Sequence, residues 1–116
     1  MNQKELIWID FPYSNFTQRK IRPALIVSNN KYNSKNDDLV VCALTSNNKK
    51  TDYSVLIDNT NISQGKLAVP SKVKADKIMQ INKKLALKSF AKIKDKNFNE
   101  IVKEIKKLIT ENPSIT

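Results

Sequence analysis

The sequence has no histidine, one cysteine and one glycine among its 116 residues. Without histidine, neither a Ser-His-Asp triad nor a histidine metal site can form. A lone cysteine excludes a thiolate zinc site, and a lone glycine leaves no glycine-rich phosphate loop of the usual kind. The acidic residues are scattered, so converging carboxylates for a two-metal site cannot be assembled. We therefore expect no metal and no cofactor, and any catalysis would rely on Arg, Lys, Asp, Thr and Ser.

Long apolar runs are also lacking. No segment approaches the length that spans a membrane, and the first residues lead into only four apolar positions, too few for a signal peptide. Cys42 lies in the apolar run 39–44, where we expect a buried thiol that packs as a small hydrophobic side chain. The length supports one domain, residues 1–116, with its own core. We therefore expect a cytoplasmic protein without a membrane partner.

The charge balance is strongly basic, with 21 Lys and Arg against 11 Asp and Glu and a net charge of +10. Such an excess is typical of proteins that bind nucleic acid, because each neutralised phosphate releases counterions. A lysine-rich solvated surface would give the same composition. RNA suits the available side chains, since its own 2′-hydroxyl can act as the nucleophile and no metal-bound water is needed.

The most informative stretch is 21–29 (IRPALIVSN), in which a charged, proline-marked corner leads into four apolar residues. A short apolar run between turn signals predicts a buried strand, here 24–28. We expect Pro23 to open this strand, where no ladder hydrogen bond is needed. Pro23 also disfavours the helical conformation at Arg22. The guanidinium of Arg22 is therefore predicted to lie fixed at the edge of the core.

Residues 6–9 also predict a strand, with apolar side chains on both faces. We expect it to end at Asp10 and to be followed by a long loop, 11–21. Aromatic and basic residues are interleaved in this loop, as in proteins that bind single-stranded nucleic acid. The candidate RNA-binding residues are Tyr13, Phe16, Arg19 and Lys20. A hairpin loop that folds back on the core through Phe16 is an equally consistent interpretation.

Further strands are predicted at 39–44, 53–57 and 73–79, the last as an edge strand. The first of them ends at two hydroxyl residues, Thr45 and Ser46. Polar loops are predicted at 29–37 and 59–65.

Apolar residues at helical spacing predict one C-terminal helix. Its apolar face contains Phe98, Ile101, Val102, Ile105, Leu108 and Ile109. Asn97 and Glu100 are predicted to form a capping pair at its start. Several short strands followed by one helix indicate a mainly β, α+β fold, in which the helix packs on a small barrel-like sheet.

Three segments occur in a characteristic order: 6–11 (LIWIDF), 22–28 (RPALIVS) and 41–46 (VCALTS). Together they resemble the MazF/PemK family of toxin endoribonucleases. A fourth segment, 72–78 (KVKADKI), is similar to a late strand of that family. The resemblance covers the chain from about residue 5 to residue 109.

The resemblance implies an SH3-like barrel that forms a homodimer and is inhibited by a cognate antitoxin. It also implies metal-independent, sequence-specific cleavage of single-stranded RNA, such as mRNA, to a 2′,3′-cyclic phosphate and a 5′-hydroxyl. Arg22 and Thr45 fall on the family's catalytic positions, and Asp76 is implied as a third catalytic residue. Ser46 and Lys74 are expected to bind RNA.

The sequence departs from the family pattern at several positions. Lys4 and Ala91 stand where the family has glycine, and an acidic residue of the first loop is replaced near Thr17. Lys74 stands where an arginine is expected, and lysine lacks the planar set of donors that binds phosphate in a bidentate way.

Two other functions remain open. One is a gyrase-inhibiting toxin of the CcdB type, whose C-terminal Trp-Gly-Ile signature is missing; the other is a basic RNA-binding module without catalysis.

Overall fold

The structure, a computed structural model, describes residues 1–12 and 19–111. The strands of this part are β1 (Glu5–Pro12), β2 (Arg19–Ile26), β3 (Asp38–Thr45), β4 (Ser54–Ile57), β5 (Ile62–Gly65), β6 (Ser71–Asn82) and β7 (Ala86–Ile93). The α-helices of the same part are α1 (Asn30–Lys35) and α2 (Asp95–Ile109). The strands form one antiparallel sheet in the order β4-β6-β3-β2-β1-β7-β5. The predicted mainly β fold with a C-terminal helix is confirmed, but the sheet is not closed, because β4 and β5 remain its two ends.

β1 and β2 form a hairpin that extends beyond the buried part of the sheet. β1 continues to Pro12 and β2 begins at Arg19, and these two residues form the last pair of the hairpin ladder. The predicted loop 11–21 is therefore wrong at both ends. Lys20 and Ile21 are exposed. The exposed residues 19–21 pair with β1 through backbone hydrogen bonds, so the hydrophobic pattern gives no sign that they belong to a strand.

Pro23 lies inside β2, not at its start, and pairs with Trp8 of β1. The pairing of β2 with β3 begins only at Ala24. At Pro23 the strand therefore has a partner on one side only, which is where a missing backbone N–H is tolerated. Arg22 is part of the same extended strand, as predicted.

Three elements are missing from the sequence prediction. α1 lies within the predicted polar loop 29–37, and the side chain of Asn29 caps it by accepting from the N–H of Tyr32 at 2.8 Å. β5 lies within the predicted loop 59–65, and β7 lies where no element is predicted. β5 and β7 pair with each other, so each depends on a partner that is distant in sequence.

β6 is a central strand, so the prediction of an edge strand at 73–79 is wrong. It spans twelve residues and pairs with β3 on one side and β4 on the other. A proline next to a strand favours an edge position, but Pro70 lies just before β6 and does not interrupt its hydrogen-bond ladder.

The core covers both faces of β1, as predicted. Leu6 belongs to a buried cluster that α2 covers, while Ile7 and Ile9 belong to a second cluster. Successive residues of a strand point to opposite faces, so Leu6 faces one side of the sheet and Ile7 and Ile9 face the other; all three side chains are fully buried. The first cluster also contains Leu25, Cys42, Leu44, Val73, Ile93, Phe98 and Ile101.

The predicted C-terminal helix is confirmed, although only part of its apolar face is covered. Phe98 and Ile101 are buried, and Ile105 packs against the same cluster. The remaining apolar positions of the face, Val102, Leu108 and Ile109, are exposed. Neither described helix is long and apolar enough to cross a membrane.

The predicted capping pair of this helix is wrong. The side chain of Asn97 does donate to Glu100 Oε1, at 3.1 Å, but both residues lie inside the helix. The helix begins two residues before Asn97, and its N-cap position is Lys94, which makes no side-chain capping bond.

Lys4 connects three elements just before β1. Its N–H donates to Ile26 O, its carbonyl accepts from Ile93 N, each at 3.0 Å, and its Nζ lies 2.9 Å from Asp95 Oδ1. Its φ of +79° is a left-handed conformation, in which glycine carries no steric penalty. This conformation gives a physical reason for the glycine that the family resemblance predicts at this position.

Candidate active site

Arg22 and Thr45 lie on the neighbouring strands β2 and β3, just beyond the last residues that pair between these strands. The pair Ala24–Ala43 fixes the antiparallel register of these strands. Two residues outward from this pair are Arg22 on one strand and Thr45 on the other, and residues two apart share a face of the sheet. The register therefore brings the Arg-Pro and Thr-Ser motifs together, although they are distant in sequence.

A cavity of about 450 Å³, here called the aromatic cavity, opens on one side of this pair. The rings of Trp8 and Phe90 line it and stack with their centroids 4.8 Å apart. Ser46 and Lys66 contribute polar groups to the lining. Volume and lining are those of a small-molecule site, which is mostly apolar with a few polar groups.

A second cavity of about 420 Å³, here called the lysine cavity, opens on the other side. Phe11 and Met79 line it together with Lys74 and Lys77. The two cavities share four lining residues: Arg22, Pro23, Leu44 and Thr45. Arg22, which is exposed, and Thr45 therefore lie on a boundary between two cavities.

A larger cavity of about 700 Å³ lies between α2 and residues 50–53. Its lining mixes Lys50 and Lys107 with Asp52 and Glu104, and it includes none of the predicted site residues. We favour the two smaller cavities as the functional site because they contain the predicted arginine and threonine.

A large irregular bulge in β6 gives Lys74 and Asp76 their positions. Cys42 of β3 pairs with Ile78, but Leu44 already pairs with Val73, so residues 74–77 stand opposite Ala43 alone. Bulges of this kind redirect side chains and are common next to active sites.

The bulge separates the charged residues of this segment. Lys74 and Lys77 line the lysine cavity, whereas Asp76 is exposed and lines neither cavity. The structure thus brings Arg22 and Thr45 together but does not bring the predicted third catalytic residue into their pockets.

The hydroxyl of Thr45 has a defined hydrogen-bond partner. Its Oγ1 accepts from the backbone N–H of Asn47 at 3.2 Å. A hydroxyl has one donor hydrogen and two acceptor lone pairs. Because Asn47 uses a lone pair, the hydroxyl hydrogen remains available to donate to a bound group.

Burial raises the pKa of the Cys42 thiol to about 12, with a smaller contribution from the negative charge of Asp76. The thiol is fully buried in the core. Thiolate is the reactive form of cysteine, so Cys42 is suited to packing and not to nucleophilic chemistry.

The other predicted RNA-binding residues differ in their surroundings. Arg19 is exposed and lies 3.5 Å from Asp10 on the paired strand. Lys20 is exposed at the end of the hairpin, and Ser46 lines the aromatic cavity. Tyr13 and Phe16 lie outside the described residues, and their role stays a prediction.

Three residues that line the candidate site are not identified by the sequence analysis: Trp8, Phe90 and Lys77. The apolar run 6–9 predicts a strand but gives no sign that Trp8 lines a cavity, and Phe90 meets Trp8 only because β1 pairs with β7. No three His, Cys, Asp or Glu side chains in residues 1–12 and 19–111 are grouped so that they could hold a metal ion.

Comparisons with known proteins agree with this fold. A family model described as the PemK-like, MazF-like toxin of type II toxin-antitoxin systems matches residues 2–109. A comparison with curated protein sequences gives no match. Among solved structures, an endoribonuclease in complex with its cognate antitoxin from a mycobacterial species is 21% identical, with a TM-score of 0.78, over 97% of this chain and 99% of that chain.

Two other similar structures come from named organisms. A MazE-MazF structure from Deinococcus radiodurans is 22% identical, with a TM-score of 0.78, over 94% of this chain and 95% of that chain. The toxin MazF-mt6 of Mycobacterium tuberculosis is 16% identical, with a TM-score of 0.72, over 89% of this chain and 93% of that chain. At these identities the structural likeness establishes the fold.

Fold and family model together define a toxin of the type II toxin-antitoxin class. The chain belongs to the PemK-like, MazF-like toxin family.

Proposed function

We propose that this toxin is an endoribonuclease that cleaves single-stranded RNA, in a sequence-specific way and without a metal ion, at Arg22 and Thr45. The observation that carries the proposal is the place of these two residues on the boundary between two cavities. A phosphodiester at this boundary has room for one nucleotide on each side, in the aromatic cavity and in the lysine cavity.

The reaction needs no nucleophile from the protein. The 2′-oxygen of the RNA forms a bond to the adjacent phosphorus, the bond from phosphorus to the 5′-oxygen breaks, and a 2′,3′-cyclic phosphate results. The 2′-hydroxyl loses its proton to a base, and the departing 5′-oxygen takes up a proton to become a 5′-hydroxyl. Negative charge grows on the phosphate oxygens and then on the 5′-oxygen.

Arg22 and Thr45 are suited to stabilise this charge. A guanidinium binds phosphate oxygens through two parallel N–H donors, and the neighbouring Pro23 stiffens the strand that carries it. The Thr45 hydroxyl supplies a further donor. Donors that are already in place stabilise a transition state without reorganising during the reaction.

The surroundings favour RNA as the substrate. Trp8 and Phe90 offer aromatic surface to a base, and a stacked base is typically worth about 1–3 kcal/mol. Lys74 and Lys77 are placed to contact phosphates in the lysine cavity, and the net charge of +10 has the sign that attracts a polyanion.

We also propose a cognate antitoxin and a homodimer as partners of this chain. Two similar structures are described as a complex with a cognate antitoxin and as MazE-MazF. The basic surface suits an acidic, partly disordered antitoxin segment that lies over the RNA-binding cavities. An acidic antitoxin peptide that fails to compete with RNA would contradict the first part, and a monomer in light scattering at micromolar concentration would contradict the second.

Cleavage of a long RNA in the presence of EDTA tests the proposed function. We expect cleavage to continue, products whose 5′ ends a polynucleotide kinase labels without prior phosphatase treatment, and no cleavage of the matching DNA. An RNA with one 2′-deoxy sugar at the cleavage position is the matched control and should stay intact there. A requirement for added magnesium, or 5′-phosphate products, would contradict the proposal, and binding without cleavage would favour a non-catalytic RNA-binding module.

A further inference from the structure

Lys72 is a buried lysine whose ammonium group is bonded to a backbone carbonyl. Its exposure is 5%, and its Nζ donates to the carbonyl oxygen of Lys49 at 3.0 Å. Within residues 1–12 and 19–111, it forms no ion pair with a carboxylate. Burial of a charged side chain costs free energy, so packing alone does not explain a buried lysine at this position.

The position of Lys72 in the sheet places it next to Thr45. The two residues are directly opposite each other in the pairing of β3 with β6. Directly opposed residues of an antiparallel pair project from the same face, with Cβ atoms about 5 Å apart. The Lys72 side chain therefore reaches the loop that follows Thr45, where Lys49 lies.

Two further hydrogen bonds connect this loop back to the Thr45 hydroxyl. The N–H of Lys49 donates to Asn47 Oδ1 at 3.3 Å, and the N–H of Asn47 donates to Thr45 Oγ1 at 3.2 Å. Three hydrogen bonds therefore connect Lys72 to Thr45 by way of Lys49 and Asn47. We call these four residues the relay.

We propose that Lys72 and Asn47 are positioning residues that orient the Thr45 hydroxyl toward the scissile phosphate. The inference rests on the proposed ribonuclease function. The relay holds the Asn47 N–H against Oγ1, so the hydroxyl hydrogen points away from this N–H and can donate to a phosphate oxygen. A donor held in one orientation is more effective than one that must rotate during the reaction.

A double-mutant cycle separates this role from simple anchoring of the loop. Lys72→Met removes the ammonium group at one end of the relay, and Asn47→Ala removes the Oδ1 acceptor in an exposed loop residue that the core does not need. Each is combined with Thr45→Val, and single-turnover cleavage is measured at saturating protein. Lys35→Met is the matched control, because it removes the same charge at an exposed position. Lys35 is the last residue of α1, just before β3, whereas Thr45 is the last residue of β3.

We expect Lys72→Met and Asn47→Ala each to slow cleavage about tenfold in the parent chain, because small displacements of a reacting group are costly in rate. In the Thr45→Val background each should change the rate less than about twofold, because the group they act through is gone. RNA affinity should match that of Lys35→Met. Equal fold-losses in both backgrounds, or no loss in the parent chain, would overturn the proposal.

A second readout needs no RNA. The amide proton of Asn47 should exchange with water faster in Lys72→Met than in Lys35→Met, measured by magnetisation-transfer NMR on the folded protein. An unchanged exchange rate would overturn the relay even if Lys72→Met lowers activity. If the parent chain does not cleave RNA at all, the proposed function fails, and this NMR measurement still decides whether Lys72 positions Asn47.

Discussion

Replacing Gly65 by alanine tests how tightly β5 is held against β7. Gly65 has a φ of +76° and pairs with Ala91. A Cβ atom at this position would lie 2.2 Å from Phe90 O and 2.8 Å from Ala91 Cα. Both neighbours are backbone atoms of a paired strand, so neither can move aside as the end of a flexible side chain does.

Two terms set the size of the effect. A left-handed conformation costs a non-glycine residue about 1–2 kcal/mol. Crowding of an extra carbon into a packed site typically costs about 1–3 kcal/mol, which gives a sum of about 2–5 kcal/mol. β5 pairs with β7 alone at one end of the sheet, so local detachment of the strand limits the strain. We therefore expect a loss of about 2–3 kcal/mol in the free energy of unfolding.

Urea unfolding followed by the fluorescence of Trp8, the single tryptophan, measures this loss. Gln64→Ala is the matched control, because Gln64 is exposed on the same strand and a surface substitution typically changes stability by less than about 0.5 kcal/mol. If Gly65→Ala is no more destabilising than Gln64→Ala, the described approach of β5 to β7 is incorrect.

Two further predictions concern Asp76 and Cys42. Because Asp76 lines neither cavity, Asp76→Asn should slow single-turnover RNA cleavage by less than about threefold. A general base is worth about 10²–10⁴-fold, so a loss in that range with RNA affinity intact would contradict this expectation and make Asp76 the base. Burial raises the pKa of the Cys42 thiol to about 12, so a thiol reagent at pH 8 should leave the folded protein unlabelled and should modify one thiol after urea unfolding. Rapid labelling of the folded protein would contradict this account of the core.

The buried strands and the last helix are predictable from the sequence because local hydrophobic patterns define them. The run 39–44 gives β3 almost completely, and the spacing from Phe98 to Ile105 gives the covered face of α2. α1 is short and polar, and its existence depends on the cap at Asn29 rather than on an apolar face. The hydrophobic pattern cannot detect an element of this kind.

The candidate site is predictable only in part. The Arg-Pro and Thr-Ser motifs identify Arg22 and Thr45 through the family resemblance, and the register of β2 with β3 explains why they meet. The stacking of Trp8 on Phe90 and the bond from Lys72 to Lys49 depend on pairings between distant strands. Such non-local contacts leave no periodic signal in the sequence.

Single-turnover cleavage by Arg22→Ala and Thr45→Val, with RNA affinity measured in parallel, tests the central claim most directly. Each substitution should lower the rate about 10²–10³-fold at saturating protein, as is typical for the loss of one transition-state donor. Arg22→Lys should also lose much of the rate, because it keeps the charge but not the bidentate donors.

Arg19→Ala is the control in this measurement, because Arg19 is an exposed arginine on the same strand that pairs with Asp10. It should weaken RNA binding more than it slows the bound reaction. If Arg22→Ala and Thr45→Val both fold, bind RNA and cleave it at the parent rate, the boundary between the two cavities is not the active site.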